Sequence, residues 1–396
     1  MISFSLCAQN MRSSEIRRLM KLAADPSIIS FAGGMPNNNL FPVDTISELF
    51  SSLPKSSKQQ AFQYCPTSGY PPLLESLSSY LRSKGMPMDS NKLIITTGAQ
   101  QAINIIAKVM LDPGDAVLTE RPSFIGALAA FKSYCAGIIG APLDENGIVI
   151  KELDKNLSST DRAKLLYINP NFHNPAGIIY SKQRKEELIH WLSNKNLCLL
   201  EDDPYGELYF NDEDMGKTVS IKALAPEKLP VCYTGSFSKI LGPGMRLGWL
   251  LGPPEIIEKC ELAKQSMDAC SPTFTQVLAH EFMVQDKLST YLQELRPCYA
   301  RRADIMLEAL KAFMPDTVSW TVPEGGFYLW LILPETVDSS NVLSSCIEKG
   351  AAFVIGKAFD PEGRRNNCLR LAFSHTPEDK IEEGIKIIAS VLKEII

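Results

Sequence analysis

The chain has 396 residues, 45% of them hydrophobic and 21% charged, the make-up of a soluble globular protein with room for one large domain and a smaller one. A formal net charge of −5 offers no basic footprint for nucleic-acid phosphates, and no apolar run reaches the roughly 18 residues needed to cross a membrane. The opening residues carry no basic stretch followed by a long apolar one, the 10 cysteines include no Cys-x-x-Cys pair, and the 4 histidines have no neighbour at metal-ligand spacing; these features point to reduced thiols in the cytoplasm, with no signal peptide and no zinc site.

Residues 1–45 show no strong element, only a Gly/Pro bend at Phe31-Ala32-Gly33-Gly34-Met35-Pro36. From about residue 90 to 252, strand-like and helix-like runs alternate. Leu93–Thr97 reads as a strand, Ala99–Leu111 as a helix stopped by Asp112-Pro113-Gly114, Ala116–Leu118 as a strand and Phe124–Tyr134 as a helix. Lys164–Ile168 is a strand followed by a long loop, after which Ser181 caps a helix running to about Lys195. Leu197–Leu200 is a strand ending in Glu201-Asp202-Asp203-Pro204, and two more runs, Val231–Thr234 and Leu247–Leu251, flank Lys239. This alternation predicts an α/β fold whose largely parallel sheet is covered on both faces, with ligand chemistry at the carboxyl ends of the strands. After Pro253 helices dominate to about Met314. Then come Phe327–Leu333, a helix over Ser339–Lys349, strand candidates at Ala352-Phe353-Val354 and Cys368–Ala372, and a closing helix from Pro377, the pattern of a separate α+β part. No repeat or low-complexity segment interrupts it.

The strand ends gather polar residues. Thr97-Gly98-Ala99-Gln100-Gln101 opens a helix whose free N–H groups suit a phosphate, although an ordinary strand–turn–helix corner reads the same way. Asn169-Pro170-Asn171-Phe172-His173-Asn174-Pro175-Ala176-Gly177 offers several amides on a constrained loop. His173 has no evident partner there and reads as a packing or hydrogen-bonding residue. The acids Glu201, Asp202 and Asp203 are costly to desolvate together. At least one needs a positive partner or solvent, and a Mg²⁺ ion and a pyridinium nitrogen stand open as partners. Lys239 sits at a tight bend beside Ser236, Ser238 and Arg246. A partly buried amine of this kind attacks carbonyls, while serines and an arginine fork suit a phosphate. Arg370 lies inside the apolar run Leu369–Phe373 and needs an anion, supplied by a structural ion pair or by a substrate carboxylate. A phosphate cradle, a ring-nitrogen acid, an imine-forming lysine and a carboxylate-binding arginine together match pyridoxal 5′-phosphate (PLP) chemistry.

Through these residues the chain resembles the fold-type I PLP-dependent aminotransferases of class I/II, in particular the subgroup of α-aminoadipate and kynurenine aminotransferases and their broad-range bacterial relatives. The resemblance runs over nearly the whole chain through "FAGGMPNNNLFP", "QYCPTSGYPPL", "TTGAQQA", "NPNFHNPAG", "EDDPY", "SFSKILGPGMRLGW", "PEGGFYLW" and "LRLAFS". It implies an aspartate-aminotransferase-like fold. A large PLP-binding domain over 46–285 would carry a mixed, mostly parallel sheet, and a smaller α+β domain would combine 1–45 with 286–396. It implies that Lys239 holds PLP as an internal aldimine and shuttles a proton, and that Asp202 pairs with the ring nitrogen. Tyr205 and Asn174 would bond the ring's 3-oxygen. Gly98, Ala99, Gln100, Ser236, Ser238 and Arg246 would hold the phosphate, and Tyr64 would reach the phosphate of the neighbouring subunit of a homodimer. Phe124 stands where the family usually stacks a Tyr, and Ala176 replaces the more usual Thr of its loop. Arg370, with Asn174 and Gly34, would bind the substrate α-carboxylate. Arg17 would meet a distal carboxylate or gate the pocket, set against a reading as a solvated helix charge.

The function so implied is ping-pong transfer of an amino group from an L-amino acid of the 2-aminoadipate, aromatic/kynurenine or branched-chain type to a 2-oxo acid, with 2-oxoglutarate expected. A PLP-dependent β-lyase or decarboxylase on the same scaffold is the alternative. A PLP-sensing transcription regulator is a third reading, and the early start of the family pattern leaves it no room for a DNA-binding module.

Overall fold

The computed structural model describes residues 2–11, 25 and 27–396. The expectation for Arg17 falls outside the described residues. The first 45 residues are less bare than their composition suggests: the short helix Leu6–Asn10, capped by Ser5, precedes strand β1 (Ile29–Ser30). Three helices, Val43–Ser52, Lys55–Ala61 and Pro71–Ser83, come before the alternation that the sequence announces.

The main sheet contains β2 (Lys92–Thr96), β3 (Ala116–Arg121), β4 (Gly137–Asp144), β5 (Gly147–Ile148), β6 (Ala163–Ile168), β7 (Cys198–Asp203), β8 (Val231–Ser236) and β9 (Gly248–Gly252), in the order β2-β9-β8-β7-β6-β3-β4-β5. Neighbours from β8 to β4 are parallel. β9 runs antiparallel to both β2 and β8, so the carboxyl ends of β2 and β8 meet the amino end of β9 at one edge. That edge is where the sequence places Gly98, Lys239 and Arg246. Each face is apolar because side chains alternate along a strand. Val117, Leu165, Tyr167, Cys198, Leu200 and Leu250 pack under helix Ala99–Met110. Leu118, Leu166, Ile168, Leu199 and Val231 pack under helix Lys182–Leu192, which Ser181 caps by accepting a bond from the Arg184 N–H.

Helix Lys287–Phe313 leads away from this sheet. It buries Leu292, Leu295, Tyr299, Ala303, Met306 and Leu310 at helical spacing, in one core with Ile381, Ile385, Ile388 and Leu392 of helix Glu378–Ile395. Each such aliphatic side chain contributes about 1.5–3 kcal/mol of transfer free energy. A second sheet, β10 (Ser319–Trp320), β11 (Tyr328–Ile332), β13 (Val354–Ile355) and β14 (Cys368–Ala372), is antiparallel throughout, in the order β10-β11-β14-β13. The expected strand Ala352-Phe353-Val354 is split. β12 (Ala351–Ala352) pairs in parallel with β1, whereas β13 joins β14. The chain crosses between sheets at Phe353, which is fully buried. This split draws the segment after β1 alongside β14: the Ala372 N–H donates to the Phe31 carbonyl.

Candidate active site

The three consecutive acids are sorted by the pleat. β7 continues through them, where the sequence reading ended the strand at Leu200, and all three are buried. Glu201 and Asp203 point to one face, Asp202 to the other. Glu201 accepts from the N–H groups of Ile221 and Lys222 (2.8 and 2.9 Å). Asp203 accepts from Asn171 Nδ2 (3.0 Å), Tyr233 Oη (3.2 Å) and the Gly206 N–H (2.9 Å). Asp202 accepts from Tyr167 Oη at 2.7 Å through Oδ2, and its buried Oδ1 has no partner. Burial, reinforced by Asp203, raises Glu201 to about 7. Burial raises Asp202 to about 7, against the pull of the Tyr167 bond. A cation against Oδ1 would return Asp202 to its charged form. Among the described residues no group of three or more His, Cys, Asp and Glu side chains is arranged to hold a metal ion.

Lys239 follows β8 on a tight turn, and its Nζ donates to the Gly34 carbonyl at 2.9 Å. Burial, with Arg370 nearby, lowers its amine from 10.5 to about 8. Arg370, in the middle of β14, donates from Nη1 to Asn174 Oδ1 (2.8 Å) and from Nη2 to the Ala32 carbonyl (2.6 Å). Its Nε is unpartnered, and no carboxylate of the described residues lies within ion-pair distance of it. The structural-ion-pair reading of Arg370 therefore finds no support, and burial lowers its affinity for its proton, an effect that an arriving carboxylate would reverse. Tyr205 and Asn174, both buried, face the same space.

The other end of this space is built from β2, β8 and β9. Gly98 caps helix Ala99–Met110 at φ +82°, a conformation that disfavours any side chain, and a Cβ there would lie 3.3 Å from Arg246 Nη2. The first N–H groups of that helix, at Ala99 and Gln100, have no acceptor within the helix. Ser236 Oγ accepts from the Ser238 N–H at 3.0 Å. Arg246, itself at φ +48°, reaches the Thr97 carbonyl at 3.1 Å. Phe124, ahead of helix Ile125–Ser133, completes a cavity of about 320 Å³ that also admits Gly34, Asn174, Asp202, Tyr205, Lys239 and Arg370. Thus the expected residues of one chain, among those described, meet here. Tyr64 lies elsewhere and is 79% exposed. A larger cavity of about 890 Å³ opens between helices Pro71–Ser83, Thr273–Val284 and Lys287–Phe313. Its central carboxylate, Glu207, is already paired with Lys84 (2.8 Å) and Arg296 (3.2 Å).

Several contributors escape the sequence reading. Tyr167 holds Asp202, and Tyr328 lies 2.8 Å from the Tyr205 hydroxyl. Asn169 ties two elements together: its Nδ2 donates to the Asp202 carbonyl (2.6 Å) and its Oδ1 accepts from the Asn174 N–H (2.7 Å). His173 is the buried hydrogen-bonding residue that the sequence suggested. Its Nδ1 accepts from the Ala176 N–H at 3.0 Å, and its Nε2 lies 3.1 Å from Glu120 Oε2 without a hydrogen bond, both side chains being fully buried. Glu120 accepts from the Asn169 N–H at 3.0 Å and from Tyr180 Oη at 2.7 Å, which braces the start of the loop that carries Asn174.

This arrangement has known counterparts. The sequence model of "Aminotransferase class I and II" matches residues 36–388. The chain is 39% identical to "Aromatic-amino-acid aminotransferase 1" of Thermococcus litoralis, over 99% of this chain and 94% of that one. It is 34% identical to the "2-aminoadipate transaminase" of Thermus thermophilus, over 100% of this chain and 97% of that one. The crystal structure of Pyrococcus horikoshii kynurenine aminotransferase, described as a complex with "PMP, KYN as substrates and KYA as products", superposes with a TM-score of 0.95 at 41% identity, covering 99% of this chain and 97% of the other. The chain has the α/β, aspartate-aminotransferase-like fold and belongs to the class I and II aminotransferases, a PLP-dependent family.

Proposed function

We propose that this aminotransferase takes its amino group from an L-amino acid of the 2-aminoadipate, aromatic/kynurenine or branched-chain type and gives it to a 2-oxo acid, 2-oxoglutarate foremost. The observation that carries the reading is the pairing of two unmet needs in one cavity: Asp202 Oδ1 lacks a donor and Arg370 lacks an anion. The named relatives support the choice of donors. No feature of the cavity favours a β-lyase or decarboxylase.

The residues present fit the cofactor. A buried acid oxygen awaits a protonated ring nitrogen, and a helix N-terminus whose cap has no side chain suits a phosphate. When bound, PLP supplies a carbonyl carbon for amines and a cationic ring that withdraws electrons from the substrate. Asp202 would keep the ring nitrogen protonated, its charge restored by that contact. Gly98, Ala99, Gln100, Ser236, Ser238 and Arg246 would hold the phosphate, and Phe124 would stack on the ring. Tyr205 and Asn174 would direct hydrogen bonds to the ring oxygen. Arg370, with Asn174 and Gly34 beside it, would grip the substrate α-carboxylate in its planar fork. Lys239, poised near 8, would take a proton from the substrate Cα and return it. Arg17 would read the far end of the side chain.

Residues 46–285 would form the large domain, and 1–45 with 286–396 the small one. The pairing of β1 with β12 supports the inclusion of the N-terminal stretch in the latter. The working unit would be a cytoplasmic homodimer with Tyr64 reaching the partner's phosphate site. The exposure of Tyr64 beside Phe62, itself 77% exposed, supports this. No helix of the described residues is long and apolar enough to cross a membrane. The test is the visible spectrum of the purified protein as single amino acids are added without oxo acid. Good donors should bleach the cofactor band and 2-oxoglutarate should restore it. Pyruvate and ammonia appearing instead would sink the transamination reading.

A further inference from the structure

Tyr328 touches Tyr205, Asn174 and Arg370, and none of the roles given above is its own. It begins β11 and is 2% exposed. Its hydroxyl lies 2.8 Å from that of Tyr205, and Asn174 Nδ2 donates to it across 3.4 Å. Its ring faces the Arg370 guanidinium at 4.4 Å. A Cβ on Gly34 would fall on the Tyr328 hydroxyl, so the residue whose carbonyl receives Lys239 must be glycine because Tyr328 is there.

Counting protons narrows the directions of these bonds. Asn174 Oδ1 is taken by Arg370, so the Asn174 amide turns its Nδ2 toward Tyr328. The Tyr328 oxygen thus accepts from Asn174, and of the two directions open to its bond with Tyr205 the one inferred has Tyr328 donating. Tyr205, accepting from Tyr328, keeps its own proton free for the cavity. A phenol that accepts a hydrogen bond is the better donor for doing so.

We propose that Tyr328 is a positioning residue of this aminotransferase: its hydroxyl fixes Tyr205 as a donor toward the cofactor's ring oxygen, and its ring seats Arg370 for the substrate carboxylate. This rests on the PLP reading above. One side chain thereby joins the carboxylate end of the site to the ring-oxygen end, in the order Arg370, Asn174, Tyr328, Tyr205. The charged groups around Tyr205 are Asp202, Arg370 and Lys239; Tyr328→Phe removes none of them and keeps the ring that faces Arg370.

Two variants separate the two roles. Tyr328→Phe keeps the ring and removes the hydroxyl; Tyr328→Leu removes both. The first readout is the pH midpoint of the bound cofactor's visible band in substrate-free holoenzyme. Tyr328→Phe should raise that midpoint by about half a pH unit, the scale of one hydrogen bond, with KM for the amino acid within about twofold. Tyr328→Leu should in addition raise KM about tenfold, the scale of a lost cation–π contact in a dry site. In a Tyr205→Phe background, removal of the Tyr328 hydroxyl should move the midpoint no further, because the effect travels through Tyr205. A midpoint that Tyr205→Phe moves and Tyr328→Phe leaves in place would overturn the proposal, as would shifts that simply add. A wild-type protein that takes up no PLP would overturn the functional reading itself, a different and earlier failure.

Discussion

Two buried lysines lie on opposite sides of the same strand ends, and burial lowers both to about 8. Lys185, on helix Lys182–Leu192, spends all three of its N–H bonds: on Asn171 Oδ1 (2.9 Å), the Lys217 carbonyl (2.8 Å) and the Val219 carbonyl (2.9 Å). Glu201 and Asp203 share its face. Lys239 donates to the Gly34 carbonyl alone and stands among Tyr205, Phe327 and Arg370. An altered proton affinity is common to both regions and marks neither as catalytic. What separates them is saturation. The region around Lys185 is closed, every polar group met, whereas the region around Lys239 keeps unspent hydrogen bonds on Lys239, Asp202 and Arg370.

The sharpest way to break this contrast is to remove each amine. Lys239→Ala should cost on the order of 10⁵-fold in the amino-acid half-reaction, followed by cofactor absorbance in a stopped flow. Lys185→Met should leave that rate within about tenfold but lower unfolding stability by about 3 kcal/mol in urea, since it strands buried acids. Similar rate losses in both would defeat the distinction. Next in size, Asp202→Asn should slow the half-reaction on the order of 10²–10³-fold, the scale of a lost electrostatic partner.

The same substitution should act oppositely on the cofactor-free protein. The Asp202 carboxyl is raised from 3.8 to about 7 on folding, so its contribution is intact below the unfolded value and drains away as pH climbs from about 4 to 7. Asp202→Asn removes that drain. Its stability advantage over wild type should appear across that window and reach at most about 4 kcal/mol above it. Urea melts at pH 5 and 8 would show it, and an advantage that shrinks with rising pH would contradict the assignment. Arg370→Lys, which keeps the charge but loses the fork, should lower kcat/KM about 100-fold, mostly through KM. The smallest effect belongs to Phe124→Tyr, within about threefold, because stacking needs only the ring face.

Much of this was legible because strand-end positions concentrate polar residues that an apolar strand would otherwise exclude. Lys239, Asp202 and Arg370 all stand out against buried neighbours. The three acids could not be told apart by type; their separation needs the knowledge that β7 runs on through Asp203 and that Lys185 covers one face. Tyr167 and Tyr328 look like any aromatic in an apolar run until the strands are paired. The neighbours of His173 could not be named from its own loop alone, because Glu120 comes from the end of another strand, β3. The split between β12 and β13 was invisible for a similar reason: a continuous apolar run carries no sign of which sheet each half will join.

The stretch after β1 gives the site its two carbonyls, Ala32 to Arg370 and Gly34 to Lys239. They are two residues apart, so one short run of backbone sets the places of both the amine and the guanidinium. The stretch therefore works as a ruler, and its length is part of the catalytic design together with the glycine at position 34. In a library of insertions and deletions, changes of one residue between β1 and Gly34 should be purged: they would turn one carbonyl away from the amine or the guanidinium it serves. For anyone grafting this N-terminal stretch between relatives, register and the glycine at position 34 have to be kept together.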